Sequence, residues 1–121
     1  MAIKCLDTYA LVEINFGNPN FMPLLTQEII ITDITLTEFY GDIYKKYNLK
    51  TADYWYRKLI NISQSVSKDI LIKAIRFKID HKKERLSFFD CVGYIYAREN
   101  NMKFVTGDQA FEDKEGVEYI K

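Results

Sequence analysis

A single α/β domain built on a small parallel sheet is the fold this sequence predicts. Three observations point to it. Short apolar, β-branched runs alternate with longer stretches whose apolar residues recur at steps of three and four. The runs that read as strands are separated by helices, an order that pairs strands in parallel through right-handed crossovers. The 121 residues are enough for one hydrophobic core and too few for two ordinary domains, and no linker, repeat or low-complexity segment divides them. One domain is therefore expected over residues 1–121.

Ala2 to Leu6 is short and apolar and ends at Asp7-Thr8, so it reads as a buried strand whose exit caps the next helix. The helix over Tyr9 to Phe16 offers Leu11, Val12 and Phe16 to one face. Gly17-Asn18-Pro19-Asn20 is a turn, and a short helix follows over Phe21 to Thr26. Glu28 to Thr32 is continuous and β-branched, the pattern of a strand buried on both faces. From Asp33 to Tyr47 the spacing turns helical through Leu36, Phe39, Tyr40, Ile43, Tyr44 and Tyr47, and Asn48 ends the helix. Two further helices are predicted over Thr51 to Ser63 and Ser67 to Lys82. Another runs from Ser87 to Glu99 and stops at Asn100-Asn101. Phe104 to Thr106 and Val117 to Ile120 complete the set as short strands.

The composition, 48% hydrophobic and 28% charged, is that of a folded protein. Nine Tyr and eight Phe are many for this length, and some are expected to form a contact surface. Formal net charge is zero, which argues against a strong phosphate-binding protein. With four acids set aside as balanced by a metal, 17 Lys and Arg face 13 acids, an excess of four. Cys5 and Cys91 form no CxxC pair and have no histidine nearby. They read as buried small hydrophobes of a reduced, cytoplasmic protein. His81, the single histidine, cannot build a histidine-rich zinc site. The start carries no signal-peptide pattern, and no apolar run approaches the roughly 20 residues of a membrane span, so no membrane is expected.

Four acids, Asp7, Glu38, Asp90 and Asp108, each stand where one predicted element passes into the next. Each has a plain structural role open to it. Asp7 is placed to cap a helix. Thr35-x-x-Glu38 matches a capping box, and Ser87-x-x-Asp90 is a weaker version of one. Asp108 follows Gly107 as a turn residue would. Together they carry more. In a parallel α/β sheet, ligands bind beyond the carboxyl ends of the strands, and all four acids can gather there. Asp90 joins them only if its helix starts at that end. A packed set of carboxylates without a basic neighbour calls for a hard divalent cation with oxygen ligands.

The segments that carry these acids are Leu6-Asp7-Thr8, Ile34 to Phe39, Leu86 to Cys91 with the helix running to Ala97, and Phe104 to Phe111. In order and spacing, over nearly the whole chain, they resemble the PIN domain, and within it the small VapC-type toxin ribonucleases. The resemblance implies a three-layer α/β/α fold around a small parallel sheet. It also implies an acidic quartet of Asp7, Glu38, Asp90 and Asp108 that holds Mg²⁺ or Mn²⁺, with Thr8 and Thr106 as supporting small polar positions. Tyr9 departs from the family, in which a small Ser or Asn is more usual, and would narrow the pocket. Glu112, Asp113 and Glu115 read as a solvated acidic turn.

The function so implied is metal-dependent endoribonuclease activity in the toxin of a toxin–antitoxin pair, with RNA as substrate, a homodimer, and a small antitoxin protein as partner. Lysines and arginines of two groups, Lys68 to Arg85 and Lys45 to Lys58, read mainly as solvated helix faces, and a few would reach RNA phosphates without reading sequence. Three other classes compete. A degenerate PIN-like module would bind RNA or protein without cutting. A phosphotransfer or phosphatase domain would want a second Asp two residues after the nucleophile, which Asp7-Thr8-Tyr9 lacks. A purely structural dimerisation domain leaves the acid cluster unexplained.

Overall fold

The computed structural model describes residues 3–121. Ala2, in the predicted first strand, lies outside the described residues. The elements run β1 (Lys4–Leu6), α1 (Thr8–Asn15), β2 (Ile29–Thr32), α2 (Asp33–Lys46), α3 (Leu49–Leu59), β3 (Ser63–Gln64), α4 (Lys68–Asp80), α5 (Phe88–Glu99), β4 (Lys103–Thr106) and β5 (Val117–Tyr119). Short 3₁₀ turns follow α1, α3, α4 and β4. The five strands form one sheet in the order β3-β2-β1-β4-β5, with every pairing parallel.

Alternation along each strand splits the core into two halves. Leu6, Ile31 and Val105 point to the side covered by α1, α2 and α3. Cys5, Ile30 and Phe104 point to the side covered by α4 and α5. Both faces of the sheet are thus buried, which is why the strand sequences are continuous apolar runs and do not alternate with polar residues. The result is the expected three-layer α/β/α sandwich. Burial pushes the Cys5 thiol up to about 12 and the Cys91 thiol up to about 11, so both remain protonated hydrophobes.

The strand order decides where a site can form. From β1 the chain steps outward to β2 and β3, then returns to β4 on the other side of β1. The switch lies between β1 and β4, and the crevice it opens is at their carboxyl ends.

Two details differ from the sequence prediction. Ser63, predicted to end a helix, instead starts the two-residue edge strand β3, in register with Ile31 and Thr32 of β2. The Ser63 hydroxyl donates to the Asp33 carboxylate. A strand this short has no periodicity to detect, and its pairing partner is about 30 residues away. Phe16 is 52% exposed and belongs to no core face. The Lys46 ammonium sits 4.6 Å from its ring centroid. Tyr44 and Tyr47 are exposed, in line with the expectation that some of the many aromatics lie at the surface, while Leu36, Phe39 and Ile43 bury the inner stripe of α2.

Asn48 marks the break between α2 and α3. Its side chain accepts from the Thr51 backbone N–H at 2.8 Å and from the Thr51 hydroxyl at 2.9 Å, capping α3. Asn48→Ala is expected to lower unfolding stability by about 1 kcal/mol, measured by chemical denaturation. An unchanged midpoint and slope would show that the cap contributes nothing.

Candidate active site

Asp7 leaves β1 and caps α1. One carboxylate oxygen accepts from the Ala10 N–H at 2.8 Å, and the other accepts from the Thr106 hydroxyl at the end of β4. The side chain is 1% exposed. The Thr106 oxygen also accepts from the Asp108 N–H at 3.0 Å, so one threonine ties together the two acids that follow β1 and β4. Asp108 turns back on itself, its carboxylate accepting from the Ala110 N–H at 3.0 Å.

Asp90 arrives from the opposite layer. The Ser87 hydroxyl oxygen accepts from the Asp90 N–H at 3.0 Å and caps α5, which starts at this same end of the sheet. The condition set for Asp90 from sequence is therefore met. Glu38 comes from α2, and its carboxylate accepts from the Thr8 hydroxyl. Its position corrects the sequence reading. The cap of α2 is Thr32, which accepts from the Thr35 N–H at 3.1 Å. Glu38 is therefore in the second turn and does not close a capping box on Thr35.

The electrostatics show that the carboxylates crowd one another. Burial raises the Asp7 carboxyl well above the usual range, and the charges of Asp90 and Asp108 raise it further against the lowering effect of its hydrogen bonds. Asp90 is pushed up to about 7 by burial, then by Glu38 and Asp108. Glu38 is raised by burial and by Asp42, with the Thr8 hydrogen bond opposing. None of the ion pairs among the described residues involves any of the four acids.

A cavity of about 360 Å³ opens at Glu38 and Asp90, lined also by Thr8, Tyr9, Asp42 and Ser87, whereas Asp7 and Asp108 are not among its lining residues. Asp42 and Glu13 also line it and were not singled out from sequence. Asp42 was detectable, since it stands four residues after Glu38 and so shares its face of α2. The donor chemistry suits a hard divalent cation, being all oxygen, largely carboxylate and, among the described residues, in no ion pair with an ammonium or guanidinium. Among the described residues, however, no three Asp, Glu, His or Cys side chains already converge as a closed coordination sphere.

A PIN domain family model matches residues 4–117. No curated protein matches the chain. Solved structures do, at low identity and with the same fold. VapC20 of Mycobacterium tuberculosis, a sarcin-ricin loop cleaving toxin, is 15% identical with a TM-score of 0.81, over 99% of this chain and 100% of that one. The DNA-bound VapBC of Salmonella typhimurium is 17% identical with a TM-score of 0.74, over 98% and 97%. A chain of a toxin-antitoxin complex from Klebsiella pneumoniae is 17% identical with a TM-score of 0.73, over 95% of each chain.

Proposed function

This chain belongs to the PIN domain family, and from that premise we propose that it is a metal-dependent endoribonuclease, the toxin of a toxin–antitoxin pair. The observation that supports the proposal is the mutual charge crowding of Asp7, Glu38, Asp90 and Asp108 near the carboxyl ends of the strands, with none of the four in an ion pair among the described residues.

Asp7, Asp90 and Asp108, with Glu38 at the rim, are the residues that would hold Mg²⁺ or Mn²⁺. When bound, such an ion supplies Lewis-acid chemistry, acidifying a water and offsetting phosphate charge during hydrolysis of a phosphodiester. The chain's own residues do the positioning. Thr106 fixes the Asp7 carboxylate and the Asp108 backbone in one contact set. Thr8 fixes Glu38. Ser87 fixes the first turn of α5, and with it Asp90. Burial first, and then the charges of Glu38 and Asp108, push the Asp90 carboxyl up to about 7 in the metal-free protein. RNA is the substrate of this proposal, its phosphate meeting the acids only when their charge is balanced.

For an antitoxin partner, the supporting feature is the exposed aromatic surface of α2 and α3. Tyr44, Tyr47, Tyr54 and Tyr56 stand out there, beside a cavity of about 370 Å³ in which the Tyr40 hydroxyl donates to Asp53 at 2.6 Å. Aromatics are enriched at interface centres. A second copy of the chain is the other partner such a surface serves. Two free buried thiols suit a reducing compartment, and no described helix is long and apolar enough to cross a membrane.

One observation favours a second reading, a PIN-like module that binds RNA or protein without cutting it. No three ligands are already closed around a point among the described residues. Incubation of the purified chain with a mixed RNA pool in Mg²⁺, Mn²⁺ and EDTA separates the two. Cleavage in either ion and none in EDTA is the expected result. RNA binding without cleavage in any condition would move the second reading ahead.

A further inference from the structure

The cavity that Glu38 and Asp90 line has one aromatic wall, the ring of Tyr9. Tyr9 stands two residues after Asp7, in the first turn of α1. Its ring lies directly over the backbone of Gly107. A Cβ at that position would come within 2.1, 2.5 and 2.7 Å of three ring carbons, so the approach is open to glycine alone. Phe21 braces the ring from another side, with centroids 6.0 Å apart and planes tilted by 39°. The ring thus bridges the turn after β1, which carries Asp7, and the turn after β4, which carries Asp108.

Despite this bracing, Tyr9 remains 37% exposed. A residue serving the core alone would be hidden, as Phe21, Phe39, Phe104 and Phe111 are, each at 0%. What remains is an aromatic ring held in place in advance and partly open to solvent, in a cavity otherwise lined by Val12 and by the carboxylates and hydroxyls of Glu13, Glu38, Asp42, Asp90, Thr8 and Ser87. Such a ring has little to offer a metal or a phosphate. It suits a nucleobase, because every base has a π-face and stacking tolerates any sequence. A ring already fixed by its neighbours loses little entropy when a base settles on it.

We propose that Tyr9 is the stacking platform for a nucleobase next to the phosphate engaged at the acidic cluster, so that the site takes single-stranded RNA with an unpaired base on the Tyr9 side. The proposal rests on the ribonuclease reading above and adds the residue that seats the substrate. Tyr9 is a binding residue in this scheme, and the carboxylates keep their separate role.

The test uses a single-stranded RNA decamer containing 2-aminopurine, whose fluorescence falls on stacking, titrated with the intact chain in Ca²⁺. The same titration is run with Tyr9→Phe, Tyr9→Leu and Tyr9→Met, each checked for folding by circular dichroism. Wild type and Tyr9→Phe are expected to quench the probe with similar affinity. Tyr9→Leu and Tyr9→Met keep an apolar cover on Gly107 but lose the π-face. They are expected to lose the quench and to bind roughly 5- to 100-fold more weakly. In Mg²⁺ or Mn²⁺ the same variants are expected to raise KM more than they lower kcat. If wild type cleaves RNA and a folded non-aromatic variant binds and quenches as wild type does, the platform is overturned and the ribonuclease reading stands. If wild type neither binds nor cleaves RNA, both are overturned.

Discussion

Asp7→Asn is expected to lower metal-dependent RNA cleavage by at least about 100-fold while leaving the fold intact. Loss of a partner outside the coordination shell typically costs 10- to 100-fold, and Asp7 is proposed to hold the ion directly. The substitution is nearly isosteric, and its hydrogen bonds survive it. The amide oxygen can still accept from the Ala10 N–H. The amide N–H₂ can donate to the Thr106 hydroxyl, which turns from donor to acceptor. Folding should not suffer, because burial and the charges of Asp90 and Asp108 already disfavour an ionised Asp7. Gel assays of RNA cleavage, with denaturation curves of both proteins in EDTA, read the two effects separately. Retained cleavage in a folded Asp7→Asn protein would remove the acidic cluster from the chemistry. A parallel loss of stability would mean that the activity change reports folding.

Asp90→Asn should stabilise the metal-free protein at alkaline pH and leave it unchanged in acid. The Asp90 carboxyl is raised from its ordinary 3.8 to about 7, by burial first and then by Glu38 and Asp108. A carboxyl raised on folding favours the folded state only while protonated. Its contribution is complete below about pH 4, falls as pH rises, and is gone above about 7. Asn cannot ionise and so lacks this slope. In EDTA at pH 8 the variant is expected to exceed wild type by roughly 2–4 kcal/mol, the size of a shift of a few pKa units, and the two should converge near pH 4. Mg²⁺ or Mn²⁺ should raise the melting temperature of wild type at pH 8 and narrow the gap, because a bound ion balances the charge that Asn removes. Equal stability of the two proteins at pH 8 in EDTA would show that Asp90 is not crowded by its neighbours. Failure of either ion to stabilise wild type would favour the binding-module reading.

The acid cluster was legible in the sequence to an uneven degree. Asp7 and Asp108 follow apolar runs that are buried on both faces, and a residue just past such a strand falls at the carboxyl end of the sheet whatever the details. Asp90 follows Ser87 at the N-terminal signal of a long apolar helix. Glu38 stands just beyond the second apolar run, and the structure removes the competing structural role that its spacing offered. The Thr35-x-x-Glu38 spacing imitates a capping box, but Thr32 holds the cap one turn earlier, because the strand ends there and its backbone is already extended. Asp42 shares a face of α2 with Glu38 and is legible from that spacing, whereas Glu13 reaches the same cavity only through the packing of α1 beside α2.

Local chemistry along the chain was enough to settle the alternation of strands with helices, the buried cysteines and the positions at which the acids leave their elements. These depend on periodicity, β-branching and caps, which act over a few residues. Interactions between distant segments settled the rest. They made Ser63-Gln64 an edge strand, set the order β3-β2-β1-β4-β5, placed the Thr106 hydroxyl against Asp7 across 99 residues of chain, and laid the Tyr9 ring on Gly107. No local pattern encodes such contacts. Each exists because closing the sheet brings together groups that carry no signal of one another in the sequence, and the charge crowding that defines the site appears only once they meet.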